Sequence, residues 1–375
     1  MTVPVVELPP VSREMERAAQ ARSDSQTKPP GSLGRLEHVA VRLAAIQHTS
    51  TPNADRACII VFAADHGITA QGVSAWPSEV TAQMVRNFAS GGAAVNVLCA
   101  THGIELQVVD AGVAADLSDL PGIAHHKIAH GTVDFTVAPA MSEDECQLAL
   151  ATGIELARAR AAAGANVLGF GDMGIGNTSS ATLLMSVLLG LPVSQCVGAG
   201  AGLDQAGVAR KAAVIETASQ RLARALGDSE SRPELDSAQG AFQVLRHVGG
   251  FEIAMMAGAM LGAASARVPV LVDGFIASSA FLAAWRMYPQ LKDFCFFAHC
   301  SAEQGHRRML EEVGVEPLLD LQMRLGEGTG AALAVPLLRS AAALLRDMAT
   351  FDAAGVSASE SLDDPVIVDA IERAP

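Results

Sequence analysis

The sequence predicts an α/β protein with a Rossmann-like parallel sheet flanked by helices. Short apolar or β-branched runs alternate with helical stretches along the 375 residues, which is typical of a parallel sheet with crossover helices. Half of the residues are hydrophobic and only 4% are aromatic, a balance that suits helices packed closely on a buried sheet. The predicted strands are Ala57 to Ala64, Ile104 to Asp110, Asn166 to Phe170, Val193 to Val197, Val268 to Asp273 and Phe294 to Ala298.

Capping signals mark the starts of two of the predicted helices. Ser142 with Glu145 forms a capping box that opens a helix running to about Ala163. Ser301 with Gln304 repeats the signal after the last predicted strand. Both helices therefore lie where crossover helices are expected.

The two ends of the chain differ from its centre. Both ends are mostly helical by pattern, and residues 331–348 read as an Ala/Leu helix that Pro336 interrupts early. We predict that residues 1–50 and 331–375 form a small helical domain, and that residues 51–330 form the Rossmann-like catalytic domain. The polar stretch 227–236 is predicted to be a surface linker.

Charge and hydropathy argue against several classes of function. The net charge is −14 and there is no Lys/Arg run, so neither nucleic acid nor an anionic membrane is an expected partner. No apolar stretch reaches the roughly 20 residues needed to span a bilayer, and the first thirty residues lack a signal-peptide pattern. The six cysteines are scattered and are predicted to be reduced core residues. A cytoplasmic protein with small-molecule substrates is expected.

Polar residues or glycines follow directly on the predicted strands. In open α/β sheets, ligands bind beyond the carboxyl ends of the strands, so these turns are predicted to line one crevice. The turns are Asp65-His66-Gly67, Asp110-Ala111-Gly112, Gly171-Asp172, Gly198, Asp273-Gly274 and His299-Cys300-Ser301.

The first glycine-rich turn is GFGDMGIGN, which begins at residue 169 and contains Gly171, Gly174 and Gly176. It either contacts an anion or is only a tight strand-to-helix turn. Its spacing matches neither a dinucleotide fingerprint nor a Walker loop. Asn177 and Thr178 start the next helix, where free N–H groups and the helix dipole favour a phosphate. These features favour a mononucleotide over a dinucleotide.

The second glycine-rich turn is GAGAGL, which contains Gly198, Gly200 and Gly202. Lys211 lies one or two turns into the helix that follows. Its ammonium group either reaches the ligand phosphate or is solvated, and the sequence leaves both open.

Glu327 is set between glycines in the run RLGEGTG, residues 324–330. Glycines let the main chain approach a ligand closely, so a lone carboxylate among them suggests a proton acceptor. Alternatively, Glu327 is a helix N-terminal acid that only stabilises the macrodipole.

No metal, cofactor or serine nucleophile is predicted. Asp65 with His66, and His299 with Glu303 and His306, do not give three ligands at a recognised spacing. No G-x-S-x-G elbow is present.

Five ordered segments together resemble the nicotinate-nucleotide:dimethylbenzimidazole phosphoribosyltransferases of cobalamin biosynthesis. The resemblance spans residue 27 to about residue 338, and a generic Rossmann-like domain would not share such an ordered set. The segments are TKPPGSLGRLE (27–37), FAADHGITAQGVSAWPSEVTAQMVRNF (62–88), GFGDMGIGNTSSATLL, LVDGFIASSAFLAA (271–284) and LGEGTGAALAVPLL.

The resemblance implies transfer of ribose 5-phosphate from nicotinate mononucleotide to 5,6-dimethylbenzimidazole. It places the family's general base on Glu327, and it implies that the two glycine turns and Lys211 hold the nucleotide phosphate. Asp172 is the candidate for a second carboxylate that stabilises charge near the anomeric carbon. A homodimer is implied by the resemblance alone. The acceptor pocket is expected at Ser74, Trp76, Gln83 and Met84.

Three departures from the family pattern concern the site. Asp172 stands where the family commonly has glutamate, residues 198–202 read GAGAG where GRGTG is frequent, and Trp76 stands where a smaller aromatic is usual. Two alternatives therefore stay open: the same transfer to another base or to a phenolic acceptor, and a mononucleotide-binding module without catalysis.

Overall fold

The computed structural model describes residues 3–200, 202–227 and 237–357, and their strands form one six-stranded sheet. The strands are β1 (Ala57–Ala64), β2 (Glu105–Gly112), β3 (Ile123–His125), β4 (Val167–Met173), β5 (Val270–Val272) and β6 (Cys295–Phe297). Their order is β3-β2-β1-β4-β5-β6 and every neighbouring pair is parallel. This is the strand order of doubly wound folds, so the predicted fold class is confirmed.

Helices precede, connect and follow these strands. Two 3-10 helices occupy Gly67–Gln71 and Pro289–Phe294. The α-helices of the described residues are α1 (Arg13–Asp24), α2 (Arg35–Gln47), α3 (Glu79–Ala89), α4 (Ala94–His102), α5 (Glu143–Ala162), α6 (Asn177–Leu189), α7 (Val193–Cys196), α8 (Gln205–Ala225), α9 (Ala238–Val248), α10 (Phe251–Ser265), α11 (Phe275–Met287), α12 (Gln304–Val313), α13 (Thr329–Asp347) and α14 (Phe351–Ala354).

The core lies between the sheet and its covering helices. Helices α10 and α13 both pack on the sheet, and β1 is buried along its whole length, as expected for a parallel sheet covered on both faces. Helix α5 lies against α10 at very short range. A Cβ on Gly153 would lie 1.9 Å from the carbonyl oxygen of Met255, so only glycine permits this approach.

The predicted strand from Val193 to Val197 is wrong. This segment is the single helical turn α7, in which the Val197 amide donates to the Val193 carbonyl oxygen at 2.9 Å. A five-residue apolar run does not distinguish a buried strand from a buried helical turn, and Pro192 at the N-cap fits the start of a helix. The second glycine turn therefore does not follow a strand.

Two helix signals have mixed outcomes. The capping box of Ser142 and Glu145 is confirmed, with both reciprocal hydrogen bonds present. Helix α12 begins at Gln304, but its N-cap is Glu303 without a side-chain cap, so the second predicted capping box is wrong. Its serine, Ser301, instead accepts a hydrogen bond from the Glu303 amide at 3.2 Å, which competes with a cap.

Helix α13 continues through Pro336, contrary to the predicted interruption. A proline inside a helix removes one backbone hydrogen bond but leaves the rest of the ladder. The helix here is extensively buried, and tertiary packing of this kind can outweigh a local defect.

The chain ends pack together through α1, α2 and α13. The Arg22 guanidinium donates to the carbonyl oxygens of Leu345, Arg346 and Met348. The division into two domains stays a prediction, because α13 also packs on the sheet. The predicted linker falls almost wholly on residues 228–236, which lie outside the described residues, as do residues 358–375.

The six cysteines are buried and free of disulfides, as predicted. No helix of the described residues is long and apolar enough to cross a membrane.

Candidate active site

A cleft of about 480 Å³ opens beyond the carboxyl ends of β4, β5 and β6. Asp172 reaches it from the end of β4, Gly274 follows β5, and His299 follows β6. Glu327 closes one side from the turn before α13. The remaining lining residues are Trp76, Val80, Met84, Met173, Gly174, Ile175, Asn177, Thr178, Gly200, Phe275, Ile276, Ser301, Glu303, Arg324, Leu325 and Gly326.

The turn that carries Glu327 has an uncommon backbone. Gly326, Glu327 and Gly328 have φ values of +84°, +63° and +81°. The left-handed region costs a non-glycine residue about 1–2 kcal/mol, so the surrounding structure must hold Glu327 there. Gly171 permits this, because a Cβ at that position would lie 2.2 Å from the Gly328 nitrogen.

The Glu327 carboxylate is buried, and its Oε2 atom has no hydrogen-bond partner among the described residues. Desolvation, together with the nearby Asp273 carboxylate, raises the pKa of Glu327 to about 7. A carboxylate with this pKa is suited to accept a proton near neutral pH.

Asp172 is also a perturbed acid. Burial is the main cause that raises its pKa to about 8, and the Asp273 carboxylate adds to the effect. The Asn177 side-chain amide donates to Asp172 Oδ2 at 2.8 Å, which opposes the shift. Both raised pKa values favour the protonated carboxyls near neutral pH, and a cation bound nearby would favour the release of these protons.

The first glycine turn contributes to the cleft in part. Gly174, Asn177 and Thr178 line it, whereas Gly171 packs under the Glu327 turn and Gly176 starts α6 with a φ of +95°. Gly171 and Gly176 therefore support the residues of the cleft without lining it. Their role in binding phosphate stays a prediction.

Below this turn lies a Ser-His-Glu arrangement that sequence patterns did not predict. His66 Nε2 lies 2.6 Å from Glu252 Oε1, and His66 Nδ1 lies 3.2 Å from Ser180 Oγ. All three side chains are buried, and Ser180 Oγ also donates to the Gly249 carbonyl oxygen. The arrangement supports the turn, since a Cβ on Gly174 would lie 3.2 Å from Glu252 Oε1.

Lys211 is buried with an exposure of 1%, which excludes the solvated alternative. Its Nζ donates to Thr178 Oγ1 at 2.7 Å and to the Gly198 carbonyl oxygen at 3.4 Å. Desolvation lowers its pKa to about 8, and the Glu303 carboxylate opposes that shift. Of the second glycine turn, Gly200 lines the cleft, while Gly198 and Gly202 do not.

The expected acceptor residues are only partly brought together. Trp76 and Met84 line the cleft, while Ser74 and Gln83 do not. Ser74 Oγ accepts a hydrogen bond from the Trp76 amide at 3.1 Å and so orders the turn, and Gln83 is exposed on α3. The apolar wall also contains Val80, one helical turn before Met84, a spacing that could have identified it.

Sequence reasoning placed Asp273 and His299 in turns that line the crevice but gave neither a chemical role, and it did not single out Phe275 or Arg324. Asp273 and His299 each follow a strand, and this was the available signal. Among the described residues, no group of three or more His, Cys, Asp or Glu side chains is arranged to hold a metal.

Comparison with known proteins places this geometry in context. Residues 8–356 match a family model described as phosphoribosyltransferase, DBI_PRT. The chain is 51% identical over 351 residues to the nicotinate-nucleotide–dimethylbenzimidazole phosphoribosyltransferase of Cupriavidus necator, covering 94% of this chain and 98% of that protein. It is 50% identical over 344 residues to the protein of the same name from Pseudomonas aeruginosa, covering 92% and 95%.

A solved structure is similar over nearly the whole chain. The crystal structure of CobT from Thermus thermophilus matches with a TM-score of 0.86 at 45% identity, covering 92% of this chain and all of that one.

Proposed function

We infer the roles of individual residues from one premise: this chain belongs to the nicotinate-nucleotide–dimethylbenzimidazole phosphoribosyltransferase family. The protein transfers the 5-phosphoribosyl group from nicotinate mononucleotide to 5,6-dimethylbenzimidazole. The products are nicotinate and α-ribazole 5′-phosphate, the precursor of the lower ligand of cobalamin. Glu327, a buried carboxylate with an unpartnered oxygen in the cleft, is the observation that supports this cleft as the active site.

Departure of nicotinate needs no general acid. The bond from the anomeric carbon to the pyridinium nitrogen breaks with its electron pair, which neutralises the positive charge of the ring. A site for this reaction therefore requires one base rather than the acid and base that glycosidases use. The cleft matches this requirement if Glu327 is the base and Asp172 has another role.

Glu327 is proposed to take the proton of the acceptor. One benzimidazole nitrogen attacks the anomeric carbon, and the other ring N–H becomes acidic as positive charge builds on the ring. A carboxylate within hydrogen-bond reach accepts that proton, and attack opposite the leaving group inverts β to α. The raised pKa of Glu327, about 7, matches a base working near neutral pH.

Asp172 is proposed to stabilise positive charge at the anomeric carbon. Its pKa of about 8 favours the protonated carboxyl at pH 7. The pyridinium of the bound nucleotide is a cation, and a nearby cation favours the ionised carboxylate. Binding of the substrate would thus generate the charge that the transition state needs.

The nucleotide phosphate is proposed to lie between the two glycine turns. Support comes from Asn177 and Thr178 at the amino end of α6 and from the Lys211 ammonium, which contacts the Thr178 hydroxyl. The acceptor ring is proposed to lie against Trp76 and Met84, on the apolar side of the cleft.

A homodimer is also proposed. Trp76 and Leu325 at the cleft are 54% and 57% exposed, and exposed apolar side chains that lie together mark contact surfaces. Light scattering on a size-exclusion column would measure the mass, and the mass of a single chain at micromolar concentration would contradict the dimer.

The reaction is tested by offering nicotinate mononucleotide with dimethylbenzimidazole, adenine or a phenol in separate assays. Chromatography and mass spectrometry would follow free nicotinate and the coupled nucleotide. The highest rate is expected with dimethylbenzimidazole. A higher rate with another acceptor would change the assigned substrate, and no nicotinate release with any acceptor would leave a nucleotide-binding module.

A further inference from the structure

Asp273 makes contacts that reach far along the chain. It follows β5 directly and is almost fully buried, with an exposure of 1%. Its Oδ2 accepts a hydrogen bond from the Gly328 amide at 3.2 Å, and its Oδ1 accepts one from the Ala331 amide at 2.8 Å. Helix α13 has glycine as its own N-cap and no side-chain cap, so Asp273 supplies that cap from 55 residues away.

These hydrogen bonds fix the backbone on the carboxyl side of Glu327. Glu327 has a φ of +63°, and the residues on either side also have positive φ. A glutamate leaves this region readily unless neighbouring groups hold it. The Asp273 carboxylate holds the amide of the very next residue, and so it controls the direction in which the Glu327 side chain leaves the backbone.

His299 lies beside Asp273 at the end of the neighbouring strand β6. Its ring is 1% exposed, and neither ring nitrogen has a hydrogen-bond partner among the described residues. A Cβ on Gly330 would lie 2.8 Å from His299 Nε2 and 2.9 Å from Asp273 Oδ1, so the imidazole and the carboxylate meet at one glycine. His299 lowers the pKa of Asp273, against the stronger effect of desolvation, which raises it.

We propose that Asp273 is the positioning residue for Glu327, and that the adjacent His299 supports the Asp273 carboxylate. This inference rests on the proposed role of Glu327 as the base. Asp273 does not itself take the acceptor proton. It orients the group that does.

Several charged groups surround Glu327, and their signs determine the pH readout. Asp172 comes from β4, Asp273 from the end of β5, His299 from the end of β6, Glu303 from the start of α12 and Arg324 from the same turn as Glu327. Asp273 is the charge that raises the pKa of Glu327. Removing it would lower that pKa, and removing His299, which lowers the pKa of Asp273, would weaken the effect of Asp273 on Glu327.

The first variant is Asp273→Asn, compared with wild type, with Glu327→Gln and with Ser142→Ala. Ser142→Ala removes a helix cap of α5 outside the cleft and so controls for lost stability. The expected result for Asp273→Asn is a kcat lower by about 10- to 100-fold with the KM for nicotinate mononucleotide within about threefold. The acid limb of its kcat/KM profile should move to lower pH. An unmoved acid limb, or a loss of activity that only follows the unfolded fraction, would overturn the proposal.

The second variant, His299→Asn, leaves the backbone hydrogen bonds of Asp273 in place. Loss of His299 raises the pKa of Asp273, so Asp273 carries less negative charge beside Glu327. The acid limb should therefore move to lower pH, in the same direction as in Asp273→Asn but by less. An unmoved acid limb in His299→Asn would overturn the role of His299. This test remains valid if Asp273→Asn does not fold. Full activity of Glu327→Gln would refute the role of Glu327 as the base. An inactive Glu327→Gln together with an unaffected Asp273→Asn would refute only the positioning role of Asp273.

Discussion

The two glycine-rich turns of the cleft are supported by different parts of the chain. The first turn continues β4, and at two of its glycines the nearest atom to an added Cβ is backbone: the Gly328 nitrogen lies 2.2 Å from a Cβ on Gly171, and the Ala64 carbonyl oxygen lies 2.6 Å from one on Gly174. The second turn follows the single helical turn α7 and meets side chains. A Cβ on Gly198 would lie 2.0 Å from Glu303 Oε2, and one on Gly200 would lie 3.4 Å from Lys211 Nζ.

This difference indicates that the two turns have different roles. Backbone packed against a sheet moves little, so the first turn and the Glu327 turn beside it can hold reacting groups in fixed positions. The ends of Glu and Lys side chains move more easily, so the second turn can adapt to a ligand. Changes at the first turn should therefore lower turnover, and changes at the second should weaken nucleotide binding.

The largest effect is expected for Glu327→Gln. Turnover should fall by roughly 100-fold or more, the usual scale for a positioned base, while the nucleotide still binds. Because the pKa of Glu327 is about 7, wild-type kcat/KM should decline as pH falls through 7, and the variant should lose this limb. Steady-state kinetics across the neutral pH range and calorimetric binding would measure both.

The matched control is Glu316→Gln, which removes an exposed carboxylate paired with Arg35. It should behave as wild type. Undiminished turnover of Glu327→Gln would remove Glu327 from the role of base and would weaken the contrast between the two turns.

Gly171→Ala should have the next largest effect. The added methyl group would push on the backbone of Gly328 and move the Glu327 turn. Forcing extra volume into packed structure costs about 1–3 kcal/mol of stability, and a misplaced base should lower kcat by about tenfold or more. Urea unfolding and kcat would be measured together.

Gly103→Ala is the control for the cost of a side chain at positive φ. Gly103 has a φ of +59° and no atom lies within 4 Å of an added Cβ, so the substitution should lower stability without changing kcat. If Gly171→Ala also kept its kcat, the first turn would not position Glu327.

Lys211→Met tests the second turn. Loss of the proposed charge-assisted contact to the nucleotide phosphate should raise the Kd for nicotinate mononucleotide by about tenfold or more, with kcat within a few-fold. Burial lowers the pKa of Lys211 to about 8, and the ammonium form exists below that pKa, so wild-type affinity should fall as pH rises through 8. Calorimetric titration on either side of that pKa would measure it.

Arg210→Met is the matched control, because it removes an exposed cation from the same helix. It should leave the Kd nearly unchanged. An equal rise of the Kd in both variants would mean that overall charge, and not the buried ammonium, attracts the nucleotide.

The sequence predicted most of the sheet because buried parallel strands are continuous apolar runs. It missed β3, which has only three residues, and it misassigned Val193–Cys196, where a short run fits helix and strand equally. Packing against the rest of the chain decides such segments, and local pattern does not contain that information.

For the site, the glycines and the family resemblance singled out Glu327, Asp172 and Lys211 as candidates before any geometry was known. The cap that Asp273 provides to α13 joins residues 55 positions apart, and no local motif encodes it. Burial also resolved the two alternatives for the Lys211 ammonium. The position of Lys211 in α8 fits a solvated lysine as well as a buried one, and only the fold places it against Thr178. The local motifs thus indicated the candidate residues, while tertiary contacts determined how they are held.

The smallest effect is expected for Ala199→Arg, which restores the arginine of the common GRGTG pattern. Ala199 is exposed between two buried glycines, so an arginine there would remain largely hydrated. Exposed ion pairs contribute little, so the KM for nicotinate mononucleotide should fall by no more than about threefold, and the gain should vanish in about 0.5 M salt as charges are screened. Ala209→Arg, at an exposed position of α8, is the control for a general charge effect. A tenfold or larger gain specific to Ala199→Arg would mean that the second turn closes over the phosphate, and that this chain binds its nucleotide without a contact that the fold can supply.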